Sequence, residues 1–153
     1  MEKLNHLIAE LESKIANYDT VNLEASTGSV GWHIEHSLKT IDQIVTACKT
    51  SNPSEYKWKF NFKRFLIVDL LNKIPRGKVK APKLVRPEGE ISKESLELSL
   101  KNLKHNLANW NQLDKNAYFQ HPFFDDLNKK ATENFLLLHT NHHFKIINDI
   151  LKS

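Results

Sequence analysis

Apolar residues recur every three or four positions along four stretches of the chain, which is the spacing of amphipathic helices. The pattern predicts long helices over residues 2–18, 30–49, about 92–110 and 127–151. Helices that each bury one apolar stripe favour an all-α fold, and four of them favour a four-helix bundle. The connection between the second and third helices is a long crossover, and the whole chain, 1–153, suits one domain.

The crossover and the segment before the last helix carry weaker patterns. Apolar spacing predicts a short amphipathic helix over about 60–73, whereas residues 78–90 should be extended and irregular. Ser92 and Ser95 compete as the N-cap of the third long helix. Residues 121–126 are expected to lead into the fourth helix as a connection.

Composition places the chain among ordinary globular proteins. Hydrophobic residues make up 40% and charged residues 26%, and no apolar run approaches the roughly 20 residues that span a bilayer. The single cysteine, Cys48, excludes an intrachain disulfide and continues the apolar stripe of the second helix, so we expect a core residue and not a nucleophile. The N-terminus resembles a helix start and not a signal peptide, which predicts a cytoplasmic protein without a transmembrane segment.

Positive charge is concentrated in the crossover. Residues 57–86 contain ten Lys or Arg and one acid, Asp69, although the whole chain carries only +4. The simplest interpretation is a solvated connection, and nucleic-acid binding is not expected. Interleaved aromatic residues also permit a patch that attracts an anionic thiol, nucleic acid or a membrane headgroup. These aromatic residues are Trp58, Phe60, Phe62 and Phe65.

Two histidines of the last helix are the strongest chemical signal. At about 100° per residue, His139 and His143 lie roughly 40° apart, on the face that carries Leu136 and Ile147. Two imidazoles on an apolar face both need buried partners, and a shared metal ion supplies them. The spacing therefore predicts a metal site inside the helical domain.

The third ligand is not decided by the helical pattern. Catalytic metal sites usually combine three protein ligands with an open position, so a further histidine should come from another helix. His33 lies nearer the apolar stripe of the second helix, His36 lies on its flank, and His105 lies off the seam of the third helix. Three neutral imidazoles suit Zn²⁺, Ni²⁺, Fe²⁺ or Cu²⁺.

A family resemblance selects among these candidates. Trp32-x3-His36, followed after the crossover by His139-x3-His143, resembles the three-histidine pattern of the DinB-like superfamily of four-helix bundles. The chain is most similar to a branch with a His-Pro-Phe-Phe segment before a His-x-x-His-His helix. The matching segments here are His121-Pro-Phe-Phe124 and His139-Thr-Asn-His142-His143, with Pro75-Arg-Gly77 and Ala81-Pro-Lys83 resembling the crossover of that branch.

The resemblance implies a ligand set and a class of partner. The metal ligands would be His36, His139 and His143, with His33 and His142 as neighbours. Some DinB-like proteins resemble metal-dependent thiol S-transferases or isomerases, which implies a low-molecular-weight thiol or another anionic small molecule as partner. Homodimerisation stays open.

Ile146 and the absence of a general base favour a non-enzymatic, stress-associated metal-binding module as the alternative. The branch often has glycine where this chain has Asp125, and glutamine where it has Ile146. Thr140 follows His139, so the glutamate base of the His-Glu-x-x-His peptidases is absent, and Glu35 is expected to project to another face. Enzymatic activity is therefore left open.

Overall fold

The computed structural model describes residues 1–76 and 82–152 and contains four long helices and one short one in these ranges. Helix α2 contacts both α4 and α5, while α1 packs on α5. The prediction of a mostly helical protein is confirmed. The helices are α1 (Glu2–Glu12), α2 (Val30–Thr50), α3 (Phe62–Arg64, continued by π-helical turns over Phe65–Leu70), α4 (Lys93–Leu107) and α5 (Lys129–Ile150).

One apolar core joins the four long helices. Leu11, Ile34, Leu103 and Ile147 each lie fully buried in it, one from each of these helices. Cys48 belongs to the same core, where its thiol donates to Thr132 Oγ1 at 3.8 Å and burial raises its pKa to about 11. The prediction of Cys48 as a core residue is confirmed.

The first turn of α2 is held in place by close contacts, which matters because it contains His33 and is followed by His36 in the next turn. Ser29 caps the helix by accepting a hydrogen bond from the Trp32 backbone at 3.2 Å. The Gly31 amide donates to the Tyr18 carbonyl at 2.7 Å, and a Cβ atom on Gly31 would lie only 2.8 Å from that oxygen. Only glycine allows this approach, so the start of α2 is tied to the segment after α1.

Two predicted helices are shorter than their apolar patterns. The first ends at Glu12 and not at residue 18, and a 3₁₀ turn over Ile15–Asn17 places Ile15 in the core. The third ends at Leu107, and a second 3₁₀ turn buries Trp110. In both cases the pattern of burial continues past the end of the regular helix, because a 3₁₀ turn can extend the same apolar side.

The helix starts agree more closely with the sequence. Of the two candidate caps, Ser92 is the N-cap of α4, and Ser92 and Ser95 together form a reciprocal capping box. Asn128 caps α5 by accepting from the Ala131 amide at 3.0 Å. Short polar side chains therefore mark the starts of both helices.

A β-hairpin replaces the connection expected before the last helix. Strand β1 (Tyr118–His121) pairs antiparallel with β2 (Asp125–Asn128), with Phe119 opposite Leu127. Asp125 adopts a left-handed conformation with φ +58°, which permits the tight turn. The purely α-helical expectation is wrong here, because strands of four residues carry too little alternation to be detected.

The crossover is partly helical. Asn61 caps α3 by accepting from the Arg64 amide at 2.9 Å, and the helical turns continue to Leu70, within the predicted 60–73. Residues 82–90 are irregular apart from a 3₁₀ turn over Lys83–Val85, as expected for that part, while Gly77 to Ala81 lie outside the described residues. Of the helices in the described ranges, none has the length and apolarity to cross a membrane.

Candidate metal centre

The centre is formed where α2 faces α5. His36, His139 and His143 each place one ring nitrogen so that these atoms all lie within 4.8 Å of one another. The ring centroids are 5.2 Å apart for His36 and His139, 4.6 Å for His36 and His143, and 4.7 Å for His139 and His143. The structure thus brings together the three histidines that the family resemblance selected from separate helices.

His36 is oriented by the backbone of the crossover. Its Nδ1 lies 2.8 Å from the Val85 carbonyl oxygen, which can only accept, so Nδ1 carries the proton and donates it. The lone pair of this neutral imidazole is therefore on Nε2. Trp32 stacks on the ring at 5.1 Å with an interplanar angle of 18°, which limits its rotation. A metal-binding histidine typically donates its other nitrogen to such an acceptor.

His143 is oriented by a fourth histidine. His33 Nδ1 lies 2.9 Å from His143 Nδ1, and His33 Nε2 lies 2.8 Å from Ser26 Oγ. If His143 offers the lone pair of Nε2, its Nδ1 must donate to His33, and His33 Nε2 must then donate to Ser26. His33 is therefore a hydrogen-bonding neighbour of the cluster, as the resemblance implied.

His139 contributes a buried nitrogen without a partner. Its ring is only partly shielded, yet Nδ1 is fully buried and has no hydrogen-bond partner among the described residues. Burial, together with the smaller effects of the nearby His36, His142 and His121, lowers the pKa of His139 to about 3. In a helical core, a neutral imidazole whose buried nitrogen lacks a hydrogen-bond partner is energetically unfavourable. A bound ion or water would satisfy it.

The donor set fits a transition-metal ion. Burial lowers the pKa values of His36 and His143 as well, so all three rings are neutral near pH 7, the form that binds metal. Bonds of about 2.0–2.1 Å in a tetrahedral site would place the nitrogens about 3.4 Å apart. The nitrogens lie within 4.8 Å of one another, so binding an ion would require the imidazoles to move closer together. A fourth position would be left for water or a ligand.

A cation lies beside the cluster. The Arg76 guanidinium is paired with Asp149 at 2.8 Å, which holds it against α5. Burial lowers the pKa of His142, and the charges of Arg76 and Lys145 lower it further; Arg76 also contributes to the lowered pKa of His33. The charge of Arg76 therefore acts on His33 and His142, two neighbours of the proposed ligands, where it would favour an anionic ligand.

The hairpin places His121 next to the same centre. Its ring stacks on Phe124 at 4.3 Å and meets Phe135 edge-on at 4.7 Å, and Phe135 is in turn 5.7 Å from His139. His121 Nδ1 accepts from the Phe123 amide, so the proton is on Nε2. Burial lowers the pKa of His121 to about 4. The residue is thus a neutral hydrogen-bond donor near the metal ligands.

Other residues considered from the sequence lie elsewhere. His105 is exposed on the last turn of α4. Glu35 is buried and contacts Ser99 of α4 and Lys39, so it projects to another face, as expected. Ile146 is buried in the apolar core one turn after His143. No carboxylate joins the histidine cluster within residues 1–76 and 82–152.

Three contributors to the centre were not predicted from the sequence: Ser26, the Val85 carbonyl and Arg76. A backbone carbonyl leaves no signal in a sequence, because every residue has one. Ser26 lies seven residues before His33, but it lies in the loop before α2, so helical periodicity could not relate the two residues. Arg76 lies in the Pro75-Arg-Gly77 segment that resembles the branch, but its charge could not be distinguished from those of the other nine basic residues of the crossover.

Comparison of the chain with protein families, characterised proteins and solved structures finds no match. The DinB-like resemblance therefore depends on the order and spacing of the motifs themselves.

Proposed function

We propose that the protein is a DinB-like four-helix bundle that binds a divalent transition-metal ion through His36, His139 and His143. The observation that carries this proposal is the convergence of three neutral imidazoles, one with a buried and unpartnered nitrogen. The ion is Zn²⁺, Ni²⁺, Fe²⁺ or Cu²⁺, since imidazole suits all four. When bound, it would lower the pKa of a water or thiol at the open position.

Support for the family comes from the hairpin. The DinB-like branch often has glycine at the position of Asp125, and here that residue has φ +58°, a conformation that glycine adopts without strain. The turn that this branch makes with glycine is thus compatible with the backbone of this chain. The position at which the branch often has glycine is thus the position at which this chain has a left-handed backbone.

The partner that we propose is a low-molecular-weight anionic thiol. Arg76 supplies positive charge beside His33 and His142, and His121 presents an Nε2 proton near His139. In a thiol transfer, the sulfur would form a bond to an electrophilic carbon as the leaving group departs, and the thiol proton would leave with that group. The residues of this chain would orient the thiol and exclude water.

A non-enzymatic metal-binding module is the second candidate. Two observations favour it: no carboxylate joins the described histidine cluster, and Ile146 belongs to the apolar core. Such a protein would bind the ion and be stabilised by it without turnover. The module and the transferase share the same metal centre and differ in what the open position does.

The test begins with the metal content of protein purified without a histidine tag. We expect near-stoichiometric metal in the wild type and a loss of most of it in His139→Ala. His105→Ala removes an exposed histidine and should retain the metal, which makes it the matched control. Equal metal content in the wild type and His139→Ala would contradict the centre.

The two candidates are then separated with the metal-loaded protein. Co²⁺-substituted protein is titrated with anionic thiols and its visible spectrum recorded, followed by assays with electrophilic acceptors. Thiol binding that weakens in Arg76→Gln, together with turnover, supports the transferase. Tight metal binding with neither response supports the module.

A further inference from the structure

A cluster of exposed aromatic residues lies outside the metal centre. Trp58, Phe60 and Phe62 are 64–65% exposed, and Phe123 of the hairpin turn is 52% exposed. Large aromatic side chains are normally buried, so several exposed ones on one short segment and on the hairpin bonded to it indicate an interaction site. We call these four residues and the lysines interleaved with them, Lys57, Lys59 and Lys63, the aromatic–basic surface.

Asn61 joins the two parts of this surface. Its side-chain amide donates to the Phe123 carbonyl at 3.1 Å and to Asp125 Oδ2 at 2.7 Å, while its oxygen caps α3. Behind the surface, Ile67 and Val68 pack against the main core. The aromatic residues are therefore presented by an anchored segment and by a hairpin that is hydrogen-bonded to it.

The charge on this surface selects an anionic partner. No acid occurs between Lys57 and Asp69, whereas Lys57, Lys59 and Lys63 are all exposed. A two-fold dimer through this surface would place like charges opposite one another, which disfavours a second copy of the chain as the occupant. Acids border the surface without entering it: Glu55 and Asp69 flank it in the sequence, and Asp125 of the hairpin is engaged with Asn61.

The residue types favour a lipid surface over a nucleic acid. Arginine is the residue best suited to bidentate phosphate recognition, and Arg64 here donates to the Lys59 carbonyl at 3.1 Å. The exposed cations are lysines, which attract anionic headgroups without bidentate geometry. Tryptophan and phenylalanine next to lysine are typical of side chains that sit at a membrane interface.

We propose that the aromatic–basic surface docks on an anionic lipid bilayer. Trp58, Phe60, Phe62 and Phe123 would enter the headgroup region, and the three lysines would contact anionic headgroups. The protein would thus be held peripherally at a membrane surface, independently of the metal centre.

The fluorescence of Trp58 provides a direct test. The chain has three tryptophans; Trp110 is 1% exposed and Trp32 is stacked on His36, so Trp58 at 65% exposure dominates the response to solvent. Full-length protein is mixed with phosphatidylcholine vesicles that contain or lack phosphatidylserine. We expect co-sedimentation, a blue shift and protection from iodide only with phosphatidylserine.

Two variants dissect the surface. Phe60→Ser with Phe62→Ser should reduce vesicle binding at least tenfold and keep the exposed Trp58 as reporter. Neutralising Lys57, Lys59 and Lys63 to Gln should weaken it by about fivefold for each lysine and reduce its salt dependence. Leu98→Ser with Lys101→Gln, on the exposed side of α4, is the matched control and should bind like the wild type.

The outcomes that overturn the proposal are distinct. Failure of the wild type to bind phosphatidylserine vesicles overturns it outright. Binding of single-stranded DNA without vesicle binding assigns the surface to nucleic acid, and dimerisation that the phenylalanine variant abolishes assigns it to a second copy. Retained vesicle binding in His139→Ala would show that the lipid surface and the metal centre are separate properties.

Discussion

Two histidines of the metal centre, His36 and His143, are oriented by a hydrogen bond at Nδ1. Val85 fixes the proton of His36 on Nδ1, and the contact at 2.9 Å between His33 and His143 couples the tautomers of those two rings. Ser26 completes the arrangement, because its hydroxyl can accept from His33 or donate to it. The availability of the His143 lone pair thus depends on a residue that does not bind the metal.

Replacing His33 tests this dependence. His33→Phe keeps a buried ring but removes the acceptor for His143 Nδ1, so we expect metal affinity to fall about 10–100-fold. His33→Asn, which retains a hydrogen-bonding side chain, should recover part of the loss. Affinity is measured by competition with a chromogenic chelator. Affinity in His33→Phe equal to that of the wild type would show that the contact has no influence on the centre.

At the scale of elements, the helices were predictable and the hairpin was not. Long helices repeat the same apolar spacing over many residues, and cap residues such as Ser29 and Asn128 mark their starts. The hairpin has four-residue strands, and its turn has Asp125 where a glycine would have signalled it. The sequence therefore predicted the two helices that carry the histidines, but not the strand that brings His121 to them.

Substitutions of Asp125 test the backbone conformation of the hairpin turn. Because its φ of +58° is costly for side chains with a Cβ atom, Asp125→Gly should raise the free energy of unfolding by up to about 1 kcal/mol. Asp125→Val should lower it by about 1 kcal/mol or more, because β-branching opposes this conformation. Urea denaturation measures both, with Gln120→Val at an exposed position of β1 as control. Equal stability of the Gly and Val variants would contradict the strained turn.

At the scale of the whole molecule, the buried histidines make stability depend on pH. Burial lowers the pKa values of His33 and His121 from 6.5 to about 4, and that of His139 to about 3. Below pH 6.5 the unfolded chain takes up protons that the folded chain does not, so acid favours unfolding. Stability is therefore fully present above pH 6.5 and is lost progressively as the pH falls through these folded-state pKa values.

The metal-free protein should show this loss in denaturation experiments between pH 7 and pH 4.5. Each buried histidine contributes at most about 1.4 kcal/mol per pH unit to the slope. His121→Phe removes one titrating group and keeps an aromatic ring against Phe124, so its slope should be smaller than that of the wild type. His105→Phe, on the exposed side of α4, is the matched control. A steeper dependence of stability on pH in His121→Phe would contradict the assignment of a lowered pKa to His121.

The pairing of His33 with His143 also bears on the order in which the protein assembles. These residues are 110 positions apart, so their meeting closes most of the chain into one loop, a late and entropically costly event. Before α5 docks on α2, two of the three proposed ligands, His139 and His143, are already together on one helix, and the third is not. Full coordination would then stabilise the folded state, so a bound ion would slow unfolding more than it would speed folding.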